Sequence, residues 1–228
     1  GVLSCECVLV CGLEHSPSLV FALVAFVHPM VVVHTLSIDN ARAESDFYLF
    51  MCVASVRIWM ARMMVTVIIS MLGYRRHATN IAILICLSFY VTRGGMDLAS
   101  LKLSNTEDDP HFRFWASQMV PVMDDGVFQD FQKVNTWITE RLPNAWTSVR
   151  TEHTQLPNSA LRSVKHSYEK MLSWQPGSAI EDWARITQLK KMASNTNSKS
   201  KLGTTEVVIS ENVLKFHEAD RRKEYNLA

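Results

Sequence analysis

Four residues near the amino end carry the side chains of a metal site: Cys5, Cys7, Cys11 and His15. Cys7, Cys11 and His15 fall at i, i+4 and i+8, on one helical face, and zinc takes four deprotonated thiolate or imidazole ligands converging tetrahedrally. The paired C-x-x-C spacing of structural zinc sites is absent. Apolar or interfacial cysteines are the plainer reading, with S-palmitoylation of juxtamembrane cysteines as a further one. No metal and no cofactor is expected. A second constellation is His28, His34, Arg57 and Arg62, ionisable groups inside long apolar runs. In a membrane segment such groups are functional suspects by default, able to line a polar seam through an oligomer as an ion-permeable pore requires. The competing reading keeps both histidines neutral, bonded to a backbone carbonyl at Pro29, while the arginines snorkel or pair with Asp39, Glu44 or Asp46.

Catalysis finds little support. The chain has no G-x-S-x-G, no H-E-x-x-H and no G-x-x-x-x-G-K-[ST], and no cysteine follows Cys86 to pair with a histidine of the tail. Asp108, Asp109 and His111 flank Pro110 and hold the groups of an acid–base pair, yet acidic residues before a proline usually form a solvated turn. The expectation is a protein that is not an enzyme.

The elements that must position these residues divide the 228-residue chain in two. Lys+Arg and Asp+Glu nearly balance, 23 against 22, for a net charge of +1, so no overall field selects nucleic acid. Only 12 of those charged residues fall in residues 1–100, which hold all five cysteines and no lysine. That composition excludes intrinsic disorder over most of the length, a disulfide-stapled module and a single water-soluble globule. Residues 17–38 form 22 positions without a formal charge, enough for a hydrocarbon core of about 30 Å. Residues 47–72 have the length as well but carry Arg57 and Arg62, each costing roughly 2.5–3.5 kcal/mol near mid-membrane. Residues 78–92 are short for a span. The basic YRRH at 74–77 against the acidic loop at 39–46 sets the orientation of a hairpin with both termini cytoplasmic.

Beyond Arg93 the periodicity is that of amphipathic helices. Val127, Phe131, Val134, Ile138 and Leu142 recur at three- and four-residue steps, with Phe128 and Trp137 widening the stripe and Asp124 or Asp125 available as a cap. A second helix fits residues 159–174. A third follows Pro176-Gly177, with Ser178 and Glu181 as a capping box. Trp115, Phe128, Phe131, Trp137 and Ile138 are the candidate face toward a partner or a membrane surface. The resulting organisation is a membrane region over 1–100, a helical polar region over 101–193, a linker over 194–203, and a charged C-terminal helix over 204–228. The fold class is all-α, an integral membrane helical hairpin followed by a small amphipathic-helix region.

The Gly start without Met, the hairpin, the helix VFQDFQKVNTWITERLPNAW and the charged tail VLKFHEADRRKEYNLA resemble one region of picorna-like virus polyproteins. The resemblance is to the membrane-associated non-structural protein just upstream of the superfamily-3 helicase, and residues 17–96 also look like the multi-span proteins of nidovirus replicase polyproteins. It implies a non-enzymatic anchor and scaffold that remodels host endoplasmic reticulum or derived endomembrane for a replication complex. Its implied partners are membrane lipid and other replication proteins, with a homo-oligomer and no specific nucleic acid. Gly1 fits cleavage before a small residue, whereas Ala228 departs from the Gln or Glu commonly left by such proteases. Two further readings stay open: the viroporin-like pore, and a packing subunit of a cellular membrane complex.

Overall fold

The computed structural model describes residues 24–33, 47–71, 85–103, 108–146, 159–194, 205–217 and 222. The apolar half supplies three strands, β1 (Val27–Val33), β2 (Phe47–Val53) and β3 (Ile85–Thr92), rich in the β-branched and aromatic residues that pack well on a pleated surface. Helix α1 (Ile58–Met71) lies between β2 and β3, which run parallel and so need a crossover. The chain continues through α2 (Pro110–Ser117), β4 (Val120–Met123), α3 (Val127–Val134), α4 (Thr136–Thr139), α5 (Ser159–Leu172), α6 (Gln175–Ala193), β5 (Val207–Ile209) and β6 (Val213–Phe216). One six-stranded sheet results, in the order β4-β1-β2-β3-β6-β5, antiparallel except between β2 and β3. Pro121 sits in β4, an edge strand, where its missing N–H costs no ladder bond.

Side chains alternate between two cores. Leu49, Met51, Val53, Tyr90 and Leu214 join α1 and α6 on one face, while Phe50, Cys52, Phe89, Val91 and Val213 join α2, α3 and α4 on the other. β1 changes sides within its own length. Val27 pairs with Val53 but Met30 with Met51, so the His28-Pro29 step holds one extra residue. That β-bulge sends Val27 to the first core and Val31 and Val33 to the second. Pro29 belongs to this bulge.

The all-α membrane hairpin is thus overturned: the fold is mixed α/β. Residues 47–72 divide at Ala54–Arg57 into a strand and a helix, and the described parts of 17–38 and 78–92 form β1 and β3. A central strand buried on both faces reads as an unbroken apolar run, which is what made these segments resemble spans. No helix among the described residues is long and apolar enough to cross a membrane. The 14 residues of α1 reach about 21 Å, short of a hydrocarbon core of about 30 Å. Transmembrane character and integral residence in the host endoplasmic reticulum fall with the spans.

Two expectations about the tail change as well. The helix over 127–142 breaks at the buried Asn135, whose side chain accepts from Leu98 N (2.9 Å) and donates to the carbonyls of Met96 and Phe131 (both 2.8 Å). Within the charged helix expected over 204–228, residues 207–209 and 213–216 are instead β5 and β6, and Val213 and Leu214 are buried against β3. Of the linker expected over 194–203, all but Ser194 lies outside the described residues.

Two buried carboxylates tie the layers together. Asp109, fully buried, caps α2 by accepting from Phe112 N (3.1 Å) and pairs with the buried Arg222 guanidinium at 2.9 Å, so one acid of the turn expected to be solvated points into the interior. Glu181 of α6 accepts from Trp59 N (2.9 Å) and Met60 N (2.8 Å), so instead of closing its own capping box it caps α1. Burial raises the Glu181 carboxyl above its ordinary 4.5, against the pull of those two amides and Arg57.

Two outcomes are expected from chemical denaturation. Asp109→Ala leaves Arg222 buried without its countercharge and lowers stability by about 3–5 kcal/mol, whereas Glu211→Ala, on an exposed carboxylate facing the exposed Arg185, stays near the wild type. For Glu181, a raised folded-state pKa favours the protonated form, so its contribution is full below 4.5 and lost as pH rises through the folded value. The advantage of the wild type over Glu181→Gln therefore shrinks between pH 4.5 and neutrality.

Candidate active-site cleft at the β1 bulge

The β1 bulge, the turn after β4 and one flank of α5 enclose a cleft of about 260 Å³ lined by His28, Met123, Asp124, Asp125, Arg162, Lys165, His166 and Glu169. Its floor is built by a clamp. Lys165 and Glu169 stand at i, i+4 on α5 and grip consecutive backbone units: Glu169 Oε1 accepts from Phe26 N at 2.6 Å, and Lys165 Nζ donates to the Val27 carbonyl. Phe26 holds a left-handed φ of 64°, a conformation a bulky L-residue adopts only where its surroundings enforce it. The Glu169 bond and a 2.8 Å bond from Ala54 N to Phe26 O supply that enforcement. The next residue but one is His28.

Across the cleft, Gly126 takes φ 98° and lets the chain turn from β4 into α3. Asp124 Oδ1 accepts from Phe128 N at 3.1 Å, filling the capping role expected of Asp124 or Asp125. Asp125 is thereby left to face His28, with Oδ2 2.9 Å from Nδ1. The His28 hydrogen bond holds the Asp125 carboxyl below its ordinary 3.8 in spite of partial burial. Burial also lowers the Lys165 ammonium, partly offset by Glu169 at 3.8 Å and by Asp125.

The commitments of these groups decide what the cleft can do. All three acids are engaged: Asp124 with the α3 amide, Asp125 with His28, and Glu169 with Phe26 and Lys165. Among the described residues, Arg162, His166 and the second ring nitrogen of His28 have no partner. An imidazole anchored by a carboxylate is the second half of a nucleophile-activating relay, but no Ser, Thr or Cys lines the cleft. Cys52 is buried beneath the sheet with its thiol pushed up to about 12. No group of three or more His, Cys, Asp or Glu among the described residues is arranged to hold a metal ion.

The residues singled out from the sequence scatter. His28 is in the cleft, while His34 and the cluster Cys5, Cys7, Cys11 and His15 lie outside the described residues. Arg57 donates to the carbonyls of Val56 (3.1 Å) and Ser173 (3.2 Å), and Arg62 bonds Gln188 and lies over the Phe216 ring at 4.7 Å. These arginines fasten the tail to α1, and with His28 they form no common seam. Trp115, Phe128, Phe131 and Ile138 are buried, and Trp137 packs against them at 6.0 Å from Phe112, so the face expected to meet a partner is the second core. Asp125, Arg162, Lys165, His166 and Glu169 were not foreseen, although the i, i+4 spacing of Arg162 with His166 and of Lys165 with Glu169 was a visible signal.

Comparison with known proteins finds no match among family models, curated sequences or solved structures. The chemistry of this chain is therefore read from its own residues.

Because the folded-state pKa of Asp125 is depressed, its contribution to stability is present above 3.8 and lost as pH falls through the lower folded value. Both members of the pair are partly exposed, so the contribution is about 0.2–1 kcal/mol. Asp125→Asn removes this part of the acid-limb pH dependence, measurable as a shallower loss of stability below pH 3.8.

Proposed function

We propose that the protein binds a small molecule bearing an oxyanion, a phosphoryl or carboxylate group, in the cleft between the β1 bulge and α5. The observation that carries this reading is that every acid of the cleft already has a partner, while Arg162 and His166 are left over with N–H groups to donate. An oxyanion satisfies such a set with charge-assisted hydrogen bonds, and the planar Arg162 fork suits it in particular. A volume of about 260 Å³ suits a small metabolite rather than a polymer. Binding, with no covalent step, fits the lack of a nucleophile along the walls, and the reading of the chain as non-enzymatic is kept as part of this proposal.

The test is titration of the full chain with inorganic phosphate and with acetate, followed through the histidine ring resonances and by calorimetry. Saturable shifts at His28 and His166 are expected with at least one probe. Arg162→Ala should weaken that binding by roughly tenfold to a hundredfold, the value of one charge-assisted hydrogen bond. Absence of saturation with both, or equal affinity in Arg162→Ala, removes the proposal.

A further inference from the structure

The α5–α6 hairpin has a second surface that the cleft does not use. The two helices are joined by Ser173 and Trp174, and the turn is so tight that a Cβ on Gly177 would sit 1.6 Å from the Leu172 carbonyl oxygen. On α6, Gly177, Glu181, Ala184 and Gln188 face inward, so Trp183, Ile186 and Lys190, at three- and four-residue steps, run along the opposite side. Trp183 is 58% exposed and Ile186 54%, and Trp174 at the joint is 74% exposed. Val164 and Met171 of α5 are exposed as well. Neither indole N–H has a partner among the described residues.

The charges around these side chains are one-sided. Leaving Arg162 to the cleft, the exposed charged residues of the two helices are Lys170, Arg185, Lys190 and Lys191 against Asp182 alone. Among the described residues only Arg185 of these four has an ion-pair partner, Glu211 at 4.0 Å, and both groups are exposed. A buried protein–protein interface is depleted in lysine at its centre. Exposed tryptophans with free N–H groups, flanked by unneutralised lysines on a surface helix, match an anionic bilayer instead. There the indoles enter the headgroup level and the ammonium groups meet the surface potential.

We propose that the α5–α6 hairpin is a peripheral docking face for anionic lipid membranes, lying on the bilayer surface with Trp174 and Trp183 inserted and Lys190 and Lys191 over the headgroups. This association uses no membrane-spanning segment. It rests on residues that do not line the cleft.

The full-length chain is sedimented with phosphatidylcholine vesicles that either contain or lack phosphatidylserine. Binding is expected only with phosphatidylserine and should weaken as salt rises. The Trp174→Ala/Trp183→Ala and Lys190→Glu/Lys191→Glu double variants should each partition about tenfold less. All four positions are on the surface, and an unchanged denaturation midpoint shows that the variants are folded. Failure to bind either vesicle overturns the proposal, as does binding that survives loss of both tryptophans. A concentration-dependent doubling of mass that the tryptophan variant abolishes also overturns it, assigning the face to a second copy of the chain.

Discussion

The two-sided burial of β1, β2 and β3 is the constraint on which the rest of the structure depends. Adjacent residues such as Phe50 and Met51, or Phe89 and Tyr90, point to opposite faces, and each is shielded from water. A sheet of this kind is stable only if both faces are covered. The apolar half of the chain supplies one cover, α1, and the more highly charged half must supply the others: α6 over α1, and α2, α3 and α4 on the opposite face. The sharp division of charge at residue 100 therefore separates a sheet core from its helical coats rather than a membrane anchor from a soluble tail.

The same constraint explains how much of the fold was legible. Amphipathic helices carry their periodicity in the local sequence, which is why the patterns over 159–174 and after Pro176 lie where α5 and α6 stand. The strands carried no such mark. Their sequences, FYLFMCV and ICLSFYVT, are apolar at nearly every position because both faces are buried, and period-2 alternation vanishes when there is no wet side. The joint inside 47–72 was written only in Ala54–Arg57, where Val56 adopts a left-handed φ of 58° that no apolar count registers. Glu181 illustrates another limit: its spacing from Ser178 was legible, but the amides that it caps belong to α1, 121 and 122 residues away.

The cleft was legible in one residue of eight. His28 stood out as an ionisable group in an apolar run, and the bulge beside Pro29 explains its presence there, since the strand has slipped register and no longer needs an apolar side chain at that point. Its partner Asp125 arrives from 97 residues away, and Lys165 and Glu169, which hold the backbone of Val27 and Phe26 beside it, come from farther still. The charges of α5 are plain in the sequence, at i, i+4 spacing. What it lacked was the information that Phe26 and Val27 present an unpaired N–H and C=O to that face.

The pairing of β6 with β3 joins residues 120 positions apart, as between Thr92 and Asn212, and it has a consequence for biogenesis. As the chain leaves the ribosome, β2 and β3 can pair as soon as α1 has crossed between them, yet the outer edge of β3 then waits for the whole helical coat to be synthesised before its neighbour exists. During that interval an apolar strand offers unsatisfied amides and carbonyls to any other extended chain. The order of the elements thus leaves the growing sheet with an open edge until the arrival of residues 207–216 closes it.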